Sequence, residues 1–116
     1  MPRARRISRS GEIRTLFQRG KRSRTAHLDV FDSASPVAYS RVVVVVPKHR
    51  HTGVQRNVVK RRLRELLRRV VLPGLDRCGV GVDVLVRARG EAYDASFAVL
   101  LEELTEWVDR RCSRAH

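Results

Sequence analysis

Cysteines, aromatic residues, acids and long apolar runs are all scarce in this chain. Its 116 residues hold two cysteines, Cys78 and Cys112, with no CxxC pair and no histidine at ligand spacing. That pattern indicates neither a disulfide framework nor a zinc site, so reduced thiols and a cytoplasmic location are the expectation. No apolar run approaches the roughly 18 residues of a membrane-spanning helix. The basic opening MPRARRISRS is not followed by the apolar stretch of a secretory signal. A membrane partner is therefore not expected.

Acids number 12 against 25 Lys and Arg, a net charge of +13. Lysine occurs only at Lys21, Lys48 and Lys60, so the excess is arginine, which grips phosphate in a bidentate way and stacks on bases. The charge is also uneven. Residues 1–24 carry nine cations and one acid, residues 48–69 again nine and one, whereas residues 70–116 carry six cations and eight acids. A polyanion met by part of the molecule fits this distribution better than uniform solubility does.

Catalytic constellations are missing as well. Paired carboxylates in an apolar setting, a Ser or Cys beside a base, HExxH and a glycine-rich phosphate loop do not occur. His49 and His51 form an HxH pair without a third ligand, which reads as surface. Catalysis by this chain alone is not expected.

What is present centres on Thr52 to Leu72, TGVQRNVVKRRLRELLRRVVL. The spacing predicts one helix, with Thr52 and Gln55 forming a capping box and Pro73-Gly74 ending the run. Val59, Leu63, Leu66, Leu67 and Val70 fall on one stripe, the mark of a helix packed on a core. Asn57, Lys60, Arg61, Arg64 and Arg68 fall on a second, spaced i, i+3, i+4, i+7 and i+11. Glu65 lies on a third side, within reach of Arg69. Four cations on one stripe suit phosphates, and the Asn57 amide, both donor and acceptor, can fix a backbone or a ribose hydroxyl.

The rest reads as a single domain over residues 1–116, with residues 1–9 a flexible basic arm. A short helix runs from near Ser10 to Gly20, with Ile13, Leu16 and Phe17 on one face. A strand follows around Ala26 to Phe31, in which Phe31 shares a face with His27 and Asp29 and could stack on a base. Tyr39 to Val46 is a second strand, expected to be buried on both faces. The PKHRH loop then carries Lys48 to the helix N-terminus, where phosphate is favoured. Val82 to Arg89 is a third strand, and a short element is possible near residue 90. A final structural helix starts at Ala95, with Asp94 as its cap and Phe97, Leu100, Leu101, Leu104 and Val108 facing inward. The order α-β-β-α-β-α makes this an α+β protein, a two-layer sandwich of a small sheet backed by helices.

Arg56, Asn57, Lys60, Arg61 and Arg64, as R-N-x-x-K-R-x-x-R after a Val-rich strand and a Lys48 loop, resemble the helix motif of the bacterial ribonuclease P protein component. The resemblance covers nearly the whole chain. It implies a split βαβ fold with a left-handed crossover, and a protein subunit of a ribonucleoprotein hydrolase whose RNA, with Mg²⁺, cuts precursor tRNA to release the 5′ leader. No obligate protein partner is implied. It further implies that Lys48, Arg56, Asn57, Lys60, Arg61 and Arg64 meet the catalytic RNA, and Arg68 joins this RNA-binding set by its place on the same stripe. Ile13, Phe17 and Phe31 would border a cleft for the leader. Ile13 stands where the family often has an aromatic, Val58 where many members have Arg, and His51 where they have Gly. The competing reading is a ribosomal or general RNA-binding protein with no part in cleavage.

Overall fold

Apolar side chains on both faces make Val82–Ala88 the strand around which the sheet is laid. The computed structural model describes residues 3–114, and its sheet has the order β1-β2-β4-β3. The strands are β1 (Lys21–Arg24), β2 (Leu28–Ala34), β3 (Arg41–Val45) and β4 (Val82–Ala88). Central β4 pairs antiparallel with β2, Phe31 opposite Leu85, and parallel with β3, Val42 opposite Val84. The helices are α1 (Ser10–Arg19), α2 (Gly53–Leu66), α3 (Leu72–Arg77) and α4 (Phe97–Arg114). The α+β order expected from the sequence is present, with β1 added before the first predicted strand. A short 3₁₀ element, Gly90–Asp94, supplies the extra piece near residue 90.

Side chains alternate across a strand, so each face of the sheet collects its own core. Leu28, Val30, Val42, Val84, Val86 and Ala88 meet α2, α3 and α4 on one face. Phe31 and Leu85 meet Leu16 of α1 and Ile7 on the other, where α1 adds a partial layer. Leu100, Leu104 and Val108 of α4 are buried as the stripe predicts. Trp107, 1% exposed and three residues after Leu104, belongs to that stripe although the sequence reading passed over it. The cap of α4 is Ser96 rather than Asp94: its Oγ accepts from the Val99 N–H at 3.2 Å. Asp94 instead closes the 3₁₀ element, so the helix starts later than the pattern suggested.

Four further expectations are corrected. The helix does not stop at Pro73-Gly74, because Leu67–Val71 form a π turn in which the Leu72 N–H reaches the Leu67 carbonyl. Pro73 then sits in the first turn of α3, directly after the π turn has shifted the bonding from the regular i→i−4 ladder to i→i−5. Gly74 serves contact: a Cβ there would lie 2.6 Å from Val108 Cγ1, so only glycine lets α3 approach α4 this closely.

The arm, over residues 3–9, is docked. The Ile7 N–H donates to the Val42 carbonyl at 2.8 Å, Arg5 donates to the Ser40 carbonyl at 2.7 Å, and Ile7 is 2% exposed. A single apolar residue among cations gave no periodicity to read; residues 1 and 2 of the arm lie outside the described residues.

Strand β3 has apolar contacts on both faces but stands at the sheet edge. Val43, Val44 and Val45 are accordingly only half-buried. Cys78 and Cys112, finally, are joined as a disulfide, their Cα atoms 5.9 Å apart. They are separated by 34 residues and meet only because α3 lies on α4, a proximity that spacing could not reveal.

Three buried aspartates hold arginines inside the fold. Asp83 pairs with Arg41 at 2.7 Å, Asp32 with Arg111 at 2.9 Å, and Asp29 with Arg89 at 3.3 Å. Beside them, burial pushes the Glu103 carboxyl up. Hydrogen bonds from the Thr25 hydroxyl, the His27 N–H and the His27 ring outweigh it, and the carboxyl lies below the usual range.

Leu63, fully buried under α2, should cost about 2–5 kcal/mol when changed to Ala, measured by urea unfolding. Glu103 stabilises the fold above the ordinary carboxylate pKa, and that contribution is lost as pH falls through its depressed value. Glu103→Gln should therefore flatten the dependence of unfolding free energy on pH between about pH 5 and pH 3.

Candidate nucleic-acid interface

Helix α2 begins as its residues dictate. The Thr52 Oγ1 accepts from the Gln55 N–H at 3.1 Å, and the Gln55 side chain accepts from the Thr52 N–H at 2.9 Å. Both bonds fix the helix phase at its first turn. Val59, Leu63 and Leu66 are then turned to the sheet, and the cationic stripe faces away. Asn57, Lys60, Arg61, Arg64 and Arg68 line one groove of about 580 Å³.

Two more residues complete it. Arg6 enters from the docked N-terminal segment, held by its bridge to Val42. Sequence reasoning missed it; the only signal was its place in the first basic block. Glu65 also lines the groove instead of lying apart from it. It pairs with Arg69 as predicted, and with Arg68 too, at 2.5 Å in each case.

Arg56 and Lys48 stand apart from these. Arg56 Nε donates to the Val46 carbonyl at 2.6 Å, so much of this side chain is committed to tying α2 to the end of β3. Lys48 is exposed on the preceding loop, outside the groove. Its carbonyl accepts from the His51 N–H at 2.8 Å, which closes the loop as a turn.

The groove is electrostatically loaded. Lys60 is pulled below the ordinary lysine value, first by burial and then by repulsion from Arg56 and Arg64. A phosphate in the groove would relieve that repulsion. Glu65 is held below the usual carboxylate range, chiefly by its hydrogen bond from Arg68, and so remains ionised beside the cations.

The predicted aromatic positions are brought together on the other face of the sheet. Phe17 and Phe31 meet edge to face with centroids 5.1 Å apart. Phe31 is 6% exposed, which makes it a floor under Phe17 and not the open stacking surface its strand position suggested. Phe17 remains half-buried, with the Arg87 guanidinium 5.9 Å from its ring centroid. Ile13 joins the same apolar cluster, but it lines a separate cavity of about 270 Å³ with Arg6, Ile7, Val43 and Arg64.

A family model described as Ribonuclease P matches residues 1–111. The chain belongs to the ribonuclease P protein family. It is 29% identical to the ribonuclease P protein component of Syntrophus aciditrophicus over 85% of this chain and 80% of that one. With the ribonuclease P protein component of Thermus thermophilus it shares 45% identity over 60% of this chain and 38% of that longer relative. The fold is that of the RNase P protein of Staphylococcus aureus, with a TM-score of 0.76 at 22% identity, covering 93% of this chain and 94% of that one. It is equally that of the RNase P protein from Thermotoga maritima, with a TM-score of 0.75 at 24% identity, covering 90% and 96%.

Within this ribonuclease P family frame, the two departures near α2 have structural counterparts. His51 stacks on Tyr93, 3.7 Å between ring centroids and 7° between planes. The Tyr93 hydroxyl donates to the Pro47 carbonyl at 2.7 Å. The loop before α2 is thus clamped to the 3₁₀ element by an aromatic pair. His49 and Arg50 take the left-handed backbone, φ 47° and 68°, that the turn requires. Val58, half-buried, lines a small hollow with His51 and Tyr93.

Glu65 is the one acid in the groove. Glu65→Gln releases Arg68 and Arg69 and should tighten binding of a single-stranded RNA by roughly 2- to 5-fold at low salt, read by fluorescence anisotropy.

Proposed function

We propose that this chain is the protein subunit of the ribonuclease P ribonucleoprotein and supports removal of the 5′ leader from precursor tRNA. The observation that carries the reading is the α2 groove. In a member of this family, Asn57 and four cations of one helix converge with Arg6 of a distant segment on a single surface. That surface binds the catalytic RNA. Arginine forks and Lys60 neutralise phosphates and release counterions, while Asn57 supplies a directional amide. The half-buried Phe17, with Arg87 over its ring, offers the leader an aromatic edge and a cation.

The chain works by binding and positioning. It reduces repulsion between two RNAs and raises affinity for precursor tRNA, and hydrolysis belongs to the RNA. Mg²⁺ is assigned mainly to the RNA partner, in keeping with the RNA as the seat of hydrolysis. The protein acts in the cytoplasm as part of this complex, and no helix among the described residues is long and apolar enough to cross a membrane.

Reconstitution with a bacterial ribonuclease P RNA at low Mg²⁺ tests this directly. Cleavage of precursor tRNA should be stimulated, and more so for a substrate with a leader; no stimulation would sink the proposal. Arg61→Ala with Arg64→Ala should weaken assembly with the RNA and reduce the log-log salt slope by roughly 2. Phe17→Ala should leave assembly intact and lower the preference for leader-bearing substrate by roughly 5-fold or more.

A further inference from the structure

Strand β1 is the outer strand on the side of the sheet opposite β3, and three of its four residues are cations: Lys21, Arg22 and Arg24. A short charged edge can serve merely to block strand pairing with other chains. Here the edge also borders a cavity of about 640 Å³, into which Ser23 and Arg24 come from β1 and Trp107, Arg110, Ser113 and Arg114 from α4. We infer that this cavity at the β1 edge is a further RNA site, for a single strand, separate from the α2 groove and from the Phe17 cleft. The inference rests on the RNA-binding reading above.

Three observations carry it. Arg41, Arg89 and Arg111 are each spent on a buried aspartate, whereas Arg24, Arg110 and Arg114 have no ion pair among the described residues. Trp107 forms part of the cavity wall, is 1% exposed, and has an indole N–H without a hydrogen-bond partner among the described residues. Finally, the α2 groove includes Arg6, which bridges β3, so an RNA docked there leaves the opposite edge uncovered.

The chemistry is that of a ribonucleotide chain. The guanidiniums come from two elements and bracket the cavity, which suits successive phosphates of one strand better than a single free anion. The Ser23 and Ser113 hydroxyls can donate to and accept from ribose 2′-hydroxyls. Asp109, the one acid lining the cavity, leaves the site with a cationic balance.

Trp107 is the only tryptophan in the chain, so its emission reports on this site directly. The full chain would be titrated with a short single-stranded oligouridylate, following Trp107 emission and, in parallel, anisotropy of the labelled RNA. Trp107 emission should change on saturation. Arg24→Ala with Arg110→Ala should abolish the change or shift it to roughly 10-fold higher RNA concentration. Arg61→Ala with Arg64→Ala should retain it. If the double variant at β1 and α4 does not fold, Arg110→Gln alone should shift the titration in the same direction.

Bound RNA by anisotropy with no Trp107 response would overturn the β1-edge site and leave the α2 reading standing. So would an unchanged response in the folded Arg24 and Arg110 variant, or a response to inorganic phosphate or phosphatidylserine vesicles in place of RNA. No RNA bound at all would overturn both readings together.

Discussion

The parallel pairing of β3 with β4 is the constraint on which the interface depends. Val42 lies opposite Val84 and Val44 opposite Val86, and two adjacent parallel strands must be joined by a crossover that leaves one end of the sheet and returns at the other. The crossover here is α2, the π turn and α3. The basic helix is therefore the only covalent route from one central pairing to its partner, and its apolar stripe must lie on the sheet for the two strands to meet. The cationic stripe is what that packing leaves outward. Core burial, through Val59, Leu63 and Leu66, thus aims Asn57, Lys60, Arg61 and Arg64 away from the sheet.

Arginine plays two unlike parts in this molecule. Arg41 donates to Asp83 and to Glu12; mainly through the Asp83 bond, its guanidinium is held even more firmly protonated than usual. Arg89 donates to the Leu28, Thr25 and Ala26 carbonyls and to Asp29, gathering the turn between β1 and β2. Removing either would leave a buried carboxylate or several carbonyls without a partner, a far larger loss than removing an exposed cation. The net charge of +13 thus overstates what is offered to a polyanion.

The capping box of α2, the core stripes and the cationic stripe were legible in the sequence because each is a matter of period or of neighbouring residues. Thr52 with Gln55, Leu63 with Leu66, and Lys60 with Arg64 are all resolved within one or two turns. What was not legible depends on long-range approach. The docking of Ile7 on Val42, the entry of Arg6 into the groove and the meeting of Cys78 with Cys112 join residues more than thirty positions apart. Phe31 was placed on the correct face, but its burial came from α1 lying across it, which strand alternation cannot show. β1 escaped notice because its four residues contain no apolar side chain.

The π turn at Leu67–Val71 amounts to one residue more than an α-helix would use over the same path. Each residue of an α-helix advances the side-chain direction by about 100°. Deleting one residue from this segment would restore regular bonding and leave everything beyond it close to its present phase, whereas a deletion in the regular part of α2 would swing it through about 100°. Gly74 would leave Val108, and Cys78 would turn from Cys112. The crossover can for this reason absorb a one-residue change in length at its π turn and nowhere else along α2, and other insertions or deletions in relatives of this chain belong in its loops.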